Sequence, residues 1–454
     1  MTGGGISYTI RISRKAITQR RHILNNKKKF YTVLVLFGLI GQVAWVVENM
    51  YLNVFIYQVF RASASDISAM VAASAVTATV TTILIGALSD RIGRRKAIIV
   101  SGYLLWGISI LGFALVTPAV LTKLFPALSG AALTTLGVTL VIILDCLMTF
   151  FGSSANDACF NAWLTDATEE GGRGAVEGIN AMMPLVAILV VFGGFMSFDL
   201  ALEESWRTIF IIIGAVVLIT AAVGLFCIED TVKKTEEKES YFAELIYGFR
   251  PAVISKNASL YLILIAFAIF GISIQIFMPY LILYYSVSLA MENYVLIMAP
   301  AIIIASVFTF FYGRVYDRIG FSRSAYISLA LLLSGYTLLF FFKQVALVFI
   351  GSLLMMCGYL AGMAVFGAAI RDKTPEGMAG RFQGLRIIGQ VLIPGVIGPF
   401  IGSLVLSTAE TVQNNDGTVS FLPNENIFLA AAVAAILTVL FLIFVKKARK
   451  NSEF

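Results

Sequence analysis

The chain has 454 residues, 13% charged and 59% apolar, with a formal net charge of +7 and a mean hydropathy of +0.89. A soluble domain carries about 25% charge, so this composition excludes a water-solvated globule. The excess of basic residues sits at the ends of apolar runs, which excludes a nucleic-acid footprint.

Runs of some 20 uncharged residues recur, each long enough to cross about 30 Å of hydrocarbon as a helix. The short alternating segments of a membrane barrel are absent. An all-α polytopic membrane protein is therefore predicted, with twelve transmembrane helices near 32–59, 66–88, 97–117, 134–163, 175–197, 207–228, 258–285, 290–312, 322–342, 344–370, 382–405 and 425–445. They group as a basic N-tail (1–29), a six-helix bundle (30–228), a linker (229–257), a second six-helix bundle (258–446) and a C-tail (447–454). The first run is too long for a signal-peptide core and lacks a cleavage site, so it is expected to be retained. Of the 33 Lys and Arg, only Arg61, Lys123, Arg207 and Lys343 fall on the side opposite the termini, leaving 29 on the terminal side. That bias predicts cytoplasmic termini in a cell membrane.

Helix 1 carries Glu48 well inside its span, beside a stripe of Gln42, Trp45, Asn49, Asn53 and Tyr57 at about 100° per residue. After helix 2 comes Gly86-Ala87-Leu88-Ser89-Asp90-Arg91-Ile92-Gly93-Arg94-Arg95, whose core returns 227 residues later as Asp317-Arg318-Ile319-Gly320. A second pair, from Asp166 to Gly171 and from Asp372 to Gly377, is 206 residues apart. Charged loops repeated between apolar spans mark an internal duplication. The two offsets differ by 21 residues, which places an insertion in the loop at 118–137.

Helix 4 carries Asp145 near its middle, with Thr149, Ser153 and Asn156 on one face and Asp157 nearer the terminal side. A midplane ionisable group costs roughly 2.5–3.5 kcal/mol even on the lenient insertion scale, so each is a functional candidate. No Lys or Arg lies at that depth. An unpaired buried carboxyl is either protonated or satisfied by a bound cation, which makes Glu48, Asp145 and Asp157 candidates for cation coupling. The structural alternative is a neutral acid hydrogen-bonded between helices.

The linker opens with a solvated charged run, and its second part, YFAELIYGFRPAVIS, reads as either an amphipathic surface helix or a plain tether. On helix 7, Gln275 stands 227 residues after Glu48, and Tyr280, Tyr284 and Tyr285 follow. Gln42, Trp45, Asn49, Asn53, Thr149, Asn156, Gln275 and Tyr280 are candidates to bind a hydroxyl-rich solute, with amides for the hydroxyls and ring faces for the C–H side. Each equally suits interhelical hydrogen bonding.

The loop from Gly86 to Arg95, its degenerate copy, the six-plus-six spans and the central linker together resemble the major facilitator superfamily over nearly the whole chain. In the repeated loop, Gly86 and Gly93 permit close helix approach and a tight turn. Asp90, at a helix C-terminus, needs a cation such as Arg94 or a neighbouring helix N-terminus to offset the macrodipole. The resemblance implies that Gly86, Asp90, Arg91, Gly93, Arg94, Asp317 and Arg318 gate the terminal side, with the stronger latch at Asp90 and Arg94. It also implies that helices 1, 4, 7 and 10 line a central cavity. Helix 5 lacks the Gly-Pro element of the superfamily's drug antiporters, and a related GVIGPFIG occurs in helix 11.

The expected function is secondary transport by alternating access, as symport of a small neutral polar solute such as a sugar or glycoside with H+ or Na+. The alternative is proton-coupled efflux of hydrophobic compounds. The lipid bilayer, the solute and the ion are the partners. The four cysteines lack disulfide or zinc-ligand spacing, and His22 lies in the tail. No metal cluster, nucleotide loop or nucleophile–base pair is present, so no cofactor, metal or enzymatic activity is expected.

Overall fold

The computed structural model describes residues 28–92, 94–168, 173–230, 247–291, 293–375, 379–414 and 418–452. Among them, ten helices are long and apolar enough to cross a membrane. One of the ten, Val295–Phe341, is two spans joined at Gly320, whose φ of 75° and ψ of 175° break the helix. The helix Arg173–Phe195, apolar from Met182 onward, completes twelve.

We number them α1 (Lys28–Phe60), α2 (Ala64–Ile92), α3 (Arg95–Phe113), α4 (131–167), α5 (Arg173–Phe195), α6 (Glu203–Cys227), α7 (Ala258–Ser288), α8 (295–319), α9 (321–341), α10 (Val345–Lys373), α11 (379–406) and α12 (Asn426–Ser452). Large apolar side chains such as Phe226 and Phe310 are 78% and 70% exposed, which suits helices whose outer solvent is hydrocarbon. Within the halves, α3 packs on α6, α9 on α10, and α7 on α11 and α12; the halves meet along α2 with α11 and α5 with α8.

Local chemistry sets several boundaries. Ser63 and Asp66 cap α2: the Ser63 N–H donates to Asp66 Oδ2 at 2.9 Å, and the Asp66 N–H donates to Ser63 Oγ at 3.2 Å. Gly320 adopts a left-handed φ that a β-carbon would strain, so its place in the repeated loop has a backbone cause. Its counterpart Gly93 lies outside the described residues. Gly86 is less constrained than its motif suggests: a β-carbon there would meet only Ala158 Cβ, at 4.0 Å. The close crossings lie elsewhere. A β-carbon at Gly358 would stand 2.4 Å from the Leu332 nitrogen, and one at Gly335 would stand 2.4 Å from the Met355 nitrogen, so α9 and α10 touch backbone to backbone.

The loop that carries the insertion ends earlier than the sequence suggests, because α4 begins at Ala131, and it contains a short helix, Pro118–Leu124. The second half of the linker is not one helix. A single turn, Tyr247–Phe249, is separated from a short helix, Pro251–Lys256, at the extended Arg250 that precedes proline. Residues 231–246, most of the charged first part and the start of the second, lie outside the described residues. Between α11 and α12 a small antiparallel hairpin forms, β1 (Thr411–Gln413) with β2 (Val419–Phe421), pairing Thr411 with Phe421. The side of the molecule holding residue 28 and the linker is called the linker side, and the other the hairpin side.

Replacing Gly358 by Val should overpack the α9–α10 crossing and cost about 1–3 kcal/mol. The change should lower the thermal midpoint of the purified protein in detergent. Gly367→Ala, where a β-carbon meets nothing within 4 Å, should leave it unchanged.

Candidate functional site

The two acids at mid-span face the interior of the first bundle. Glu48 is 5% and Asp145 1% exposed. Glu48 sits in a π-helical turn of α1, Val47–Tyr51, and α4 has its own, Ser153–Phe160. Wide turns of this kind re-aim side chains and gather at functional sites. They also break the uniform 100° spacing of the sequence stripe. Glu48 turns inward, Asn49 is exposed, and Asn53 is fully buried.

Three oxygens from three helices form a closed triangle. Ser74 Oγ of α2 donates to Glu48 Oε1 at 2.7 Å, and Thr149 Oγ1 of α4 donates to the same oxygen at 2.8 Å. Ser74 Oγ and Thr149 Oγ1 are themselves 2.8 Å apart. Two hydroxyls bring only two protons to these three contacts. The other carboxyl oxygen, Glu48 Oε2, is buried without a hydrogen-bond partner, as is Asp145 Oδ1. Asp145 is one helical turn before Thr149 and within electrostatic range of Glu48. Beside Glu48 is a small cavity lined by Ala44, Leu52, Ile110, Met148 and Phe210, with room for about one water molecule.

The other sequence candidates divide by exposure. Gln42, Trp45 and Gln275 are half-buried and Asn49 is exposed, and Trp45 stacks against Trp106 at 5.1 Å. The remaining ones are engaged in packing. Asn53 Nδ2 donates to the Asn49 carbonyl at 3.0 Å, and Asn156 Oδ1 accepts from Tyr103 at 3.0 Å. Thr149 belongs to the triangle, and Tyr280 donates to the Ala64 carbonyl at 3.0 Å. Asp157 is half-buried and accepts from Ser153 at 3.2 Å. Ser74 carried no signal in the sequence: hydroxyls abound on helix 2, and only its packing against α1 and α4 singles one out.

On the linker side the described residues show an ion pair beside the expected latch. Arg95, 7% exposed, meets Asp166 at 2.8 Å, joining α3 to the end of α4. Arg94 is exposed at the N-cap of α3. The helix is entered at Arg94, so the next side chain points into the bundle. Asp90 and Arg91 are helical, and their side chains lie outside the described residues. In the second half Asp317 and Arg318 are exposed, and Asp372, the repeat partner of Asp166, accepts from Tyr316 at 2.5 Å. The start of the linker ties the first bundle together: Asp230 accepts from the Lys96 N–H at 2.8 Å, and the Glu229 carbonyl accepts from the Trp163 indole at 2.9 Å.

The sequence profile of the Major Facilitator Superfamily matches residues 32–308 and 295–454. The chain belongs to this superfamily. No curated protein sequence matches it significantly. Solved superfamily folds do. The nucleoside transporter NupG superposes with a TM-score of 0.70 at 14% identity, over 92% of this chain and 99% of that one. A D-xylose-proton symporter gives 0.69 at 13%, over 91% and 96%. A partially occluded inward-open xylose transporter XylE from E. coli gives 0.63 at 17%, over 91% and 98%. At these identities the likeness establishes the fold, a polytopic transporter of two six-helix bundles.

Arg95→Gln should cost about 1–3 kcal/mol, between the values for exposed and buried ion pairs, and should lower the thermal midpoint in detergent. Tyr316→Phe, at an exposed hydrogen bond, should cost less than half as much.

Proposed function

We infer that this transporter is a proton-coupled symporter for a small, neutral, hydroxyl-rich solute, a sugar, a glycoside or the sugar-bearing end of a nucleoside. One observation carries the coupling ion. Three oxygens lie 2.7–2.8 Å apart in a ring that holds two hydroxyl protons. A third proton on Glu48 lets every edge of the ring be a hydrogen bond, each group donating to the next. Without it, one pair of oxygens touches with no hydrogen between them. A sodium ion cannot take the proton's place in the plane of that ring, where it would be only about 1.6 Å from each oxygen against the 2.3–2.6 Å that a Ca2+ ion of similar size requires, and would have to stand off it. Asp145, one turn away, is a second acid that a passing proton can reach.

For the solute, Gln42, Trp45, Asn49 and Gln275 retain exposed surface, offering amide donors and acceptors with an aromatic face. The absence of Lys and Arg at mid-span favours a neutral cargo. The nucleoside and xylose transporters of the same fold carry cargoes of this chemistry. We assign the linker side to the cytoplasm from the bias of Lys and Arg, and alternating access to rocking of the two bundles about the midplane.

In proteoliposomes, an imposed proton gradient should drive uptake of a member of a sugar and nucleoside panel, and a sodium gradient should not. Glu48→Gln should collapse the accumulation ratio to about one, the value of passive equilibration, since the coupling free energy is gone. Solute exchange should persist. Undiminished accumulation in Glu48→Gln would remove Glu48 from coupling, and efflux in place of uptake would overturn symport.

A further inference from the structure

The hairpin between α11 and α12 contributes to the contact between the two bundles. Its last residue, Phe421, touches both. The Phe421 carbonyl accepts from Tyr57 of α1 at 2.6 Å, and its ring lies edge-on to Tyr57 at 5.2 Å and to Tyr280 of α7 at 6.3 Å. Tyr280 reaches on to the Ala64 carbonyl at the start of α2. Nearby, Tyr294 of α8 donates to Tyr51 of α1 at 3.2 Å. These three hydrogen bonds between halves all use a tyrosine hydroxyl, and all lie toward the hairpin side.

The hairpin is also held to the second bundle, so it moves with that half. Ser288 donates to the Pro423 carbonyl, and Lys343 pairs with Glu425 at 3.2 Å. The strand pair is braced by Asn414 Nδ2, which donates to Ser420 Oγ at 2.9 Å, and by the Leu422 N–H, which donates to the Glu410 carbonyl at 2.8 Å. A rigid element anchored on one bundle, with one aromatic side chain lodged against the other, is built as a wedge.

We propose that this hairpin is the gate of the hairpin side, with Phe421 as the wedge that must leave Tyr57 before the central cavity opens there. Opening breaks one strong hydroxyl–carbonyl bond and separates one aromatic contact, while the anchors to α7 and to the α9–α10 loop stay intact. The proposal rests on the alternating-access reading, but its test uses neither solute nor ion.

Asn49→Cys places a thiol at an exposed position of α1. In oriented vesicles containing the full-length chain, a charged, membrane-impermeant thiol reagent is added from the hairpin side. Labelling is counted above that of the parent, whose four cysteines set the background. If the open state is of order 1% populated, Phe421→Ala should raise the labelling rate by about tenfold. Tyr57→Phe, which removes only the hydroxyl, should raise it by a smaller factor, and Phe421→Tyr should restore the parent rate. Unchanged labelling in a folded Phe421→Ala protein overturns the gate. If that variant does not fold, Tyr57→Phe decides on the same criterion. Because no solute enters the measurement, a negative result here is distinct from a failure of proton-coupled uptake.

Discussion

Hydrocarbon offers no hydrogen bonds, and that one deficit organises this protein. Every backbone group on a span must be satisfied within its own helix, and every polar side chain must find a partner in the protein. Most do so locally: Thr79 and Thr309 each donate to the carbonyl four residues back, at 2.8 Å. Others bridge helices. Ser273 joins the Ala431 carbonyl at 2.8 Å, and Tyr285 meets Ser352 at 2.6 Å. Among the described residues a few buried polar atoms lack a partner, Thr82 Oγ1 and Ser324 Oγ among them, but the unpartnered carboxyl oxygens are Glu48 Oε2 and Asp145 Oδ1, both in the first bundle.

The duplication makes the same point by comparison. The triangle of Glu48, Ser74 and Thr149 maps through the two repeat offsets onto Gln275, Ala301 and Met355. The second half has lost the acid and both hydroxyls. The frame around them is kept: Gly152 crosses Trp106 of α3 as Gly358 crosses Leu332 of α9. On the linker side, Asp166 holds a buried Arg95, whereas its partner Asp372 holds the hydroxyl of Tyr316. Packing tolerates little change at backbone crossings, while side-chain chemistry is free to diverge. The first bundle thus carries the buried acids, and at the matching positions the second does not.

The contact between the halves is made by small residues where α11 meets α2. Gly395 of α11 faces Ala75 of α2, where a β-carbon would come within 2.5 Å, and Gly398 and Gly402 turn instead to α7. Small residues bring helices close without interlocking long side chains. The Gly-rich stretch of α11 therefore binds that helix tightly to its own half and presents a smooth contact to the other. Three tyrosine hydroxyls and Phe421 also bridge the two halves.

Much of the architecture was legible from residue order alone, because span length and charge bias are read by the membrane before any helix meets another. The twelve spans, the duplicated loop and the burial of Glu48 and Asp145 all follow from hydropathy and spacing, and the resemblance to the superfamily rests on the same loop. Contacts between helices were not legible. Ser74 is one hydroxyl among many on its helix until α1 and α4 close on it, and the π-helical turn that aims Glu48 changes a rotation that a fixed period cannot anticipate. Arg95 reaches Asp166 because of where α3 begins. The hairpin had a local signal, Asn415-Asp416-Gly417 between alternating residues, but its role depends on Tyr57, hundreds of positions earlier. Periodicity along one helix records which face is apolar; which partner meets that face, and at what register, is settled only when the helices pack.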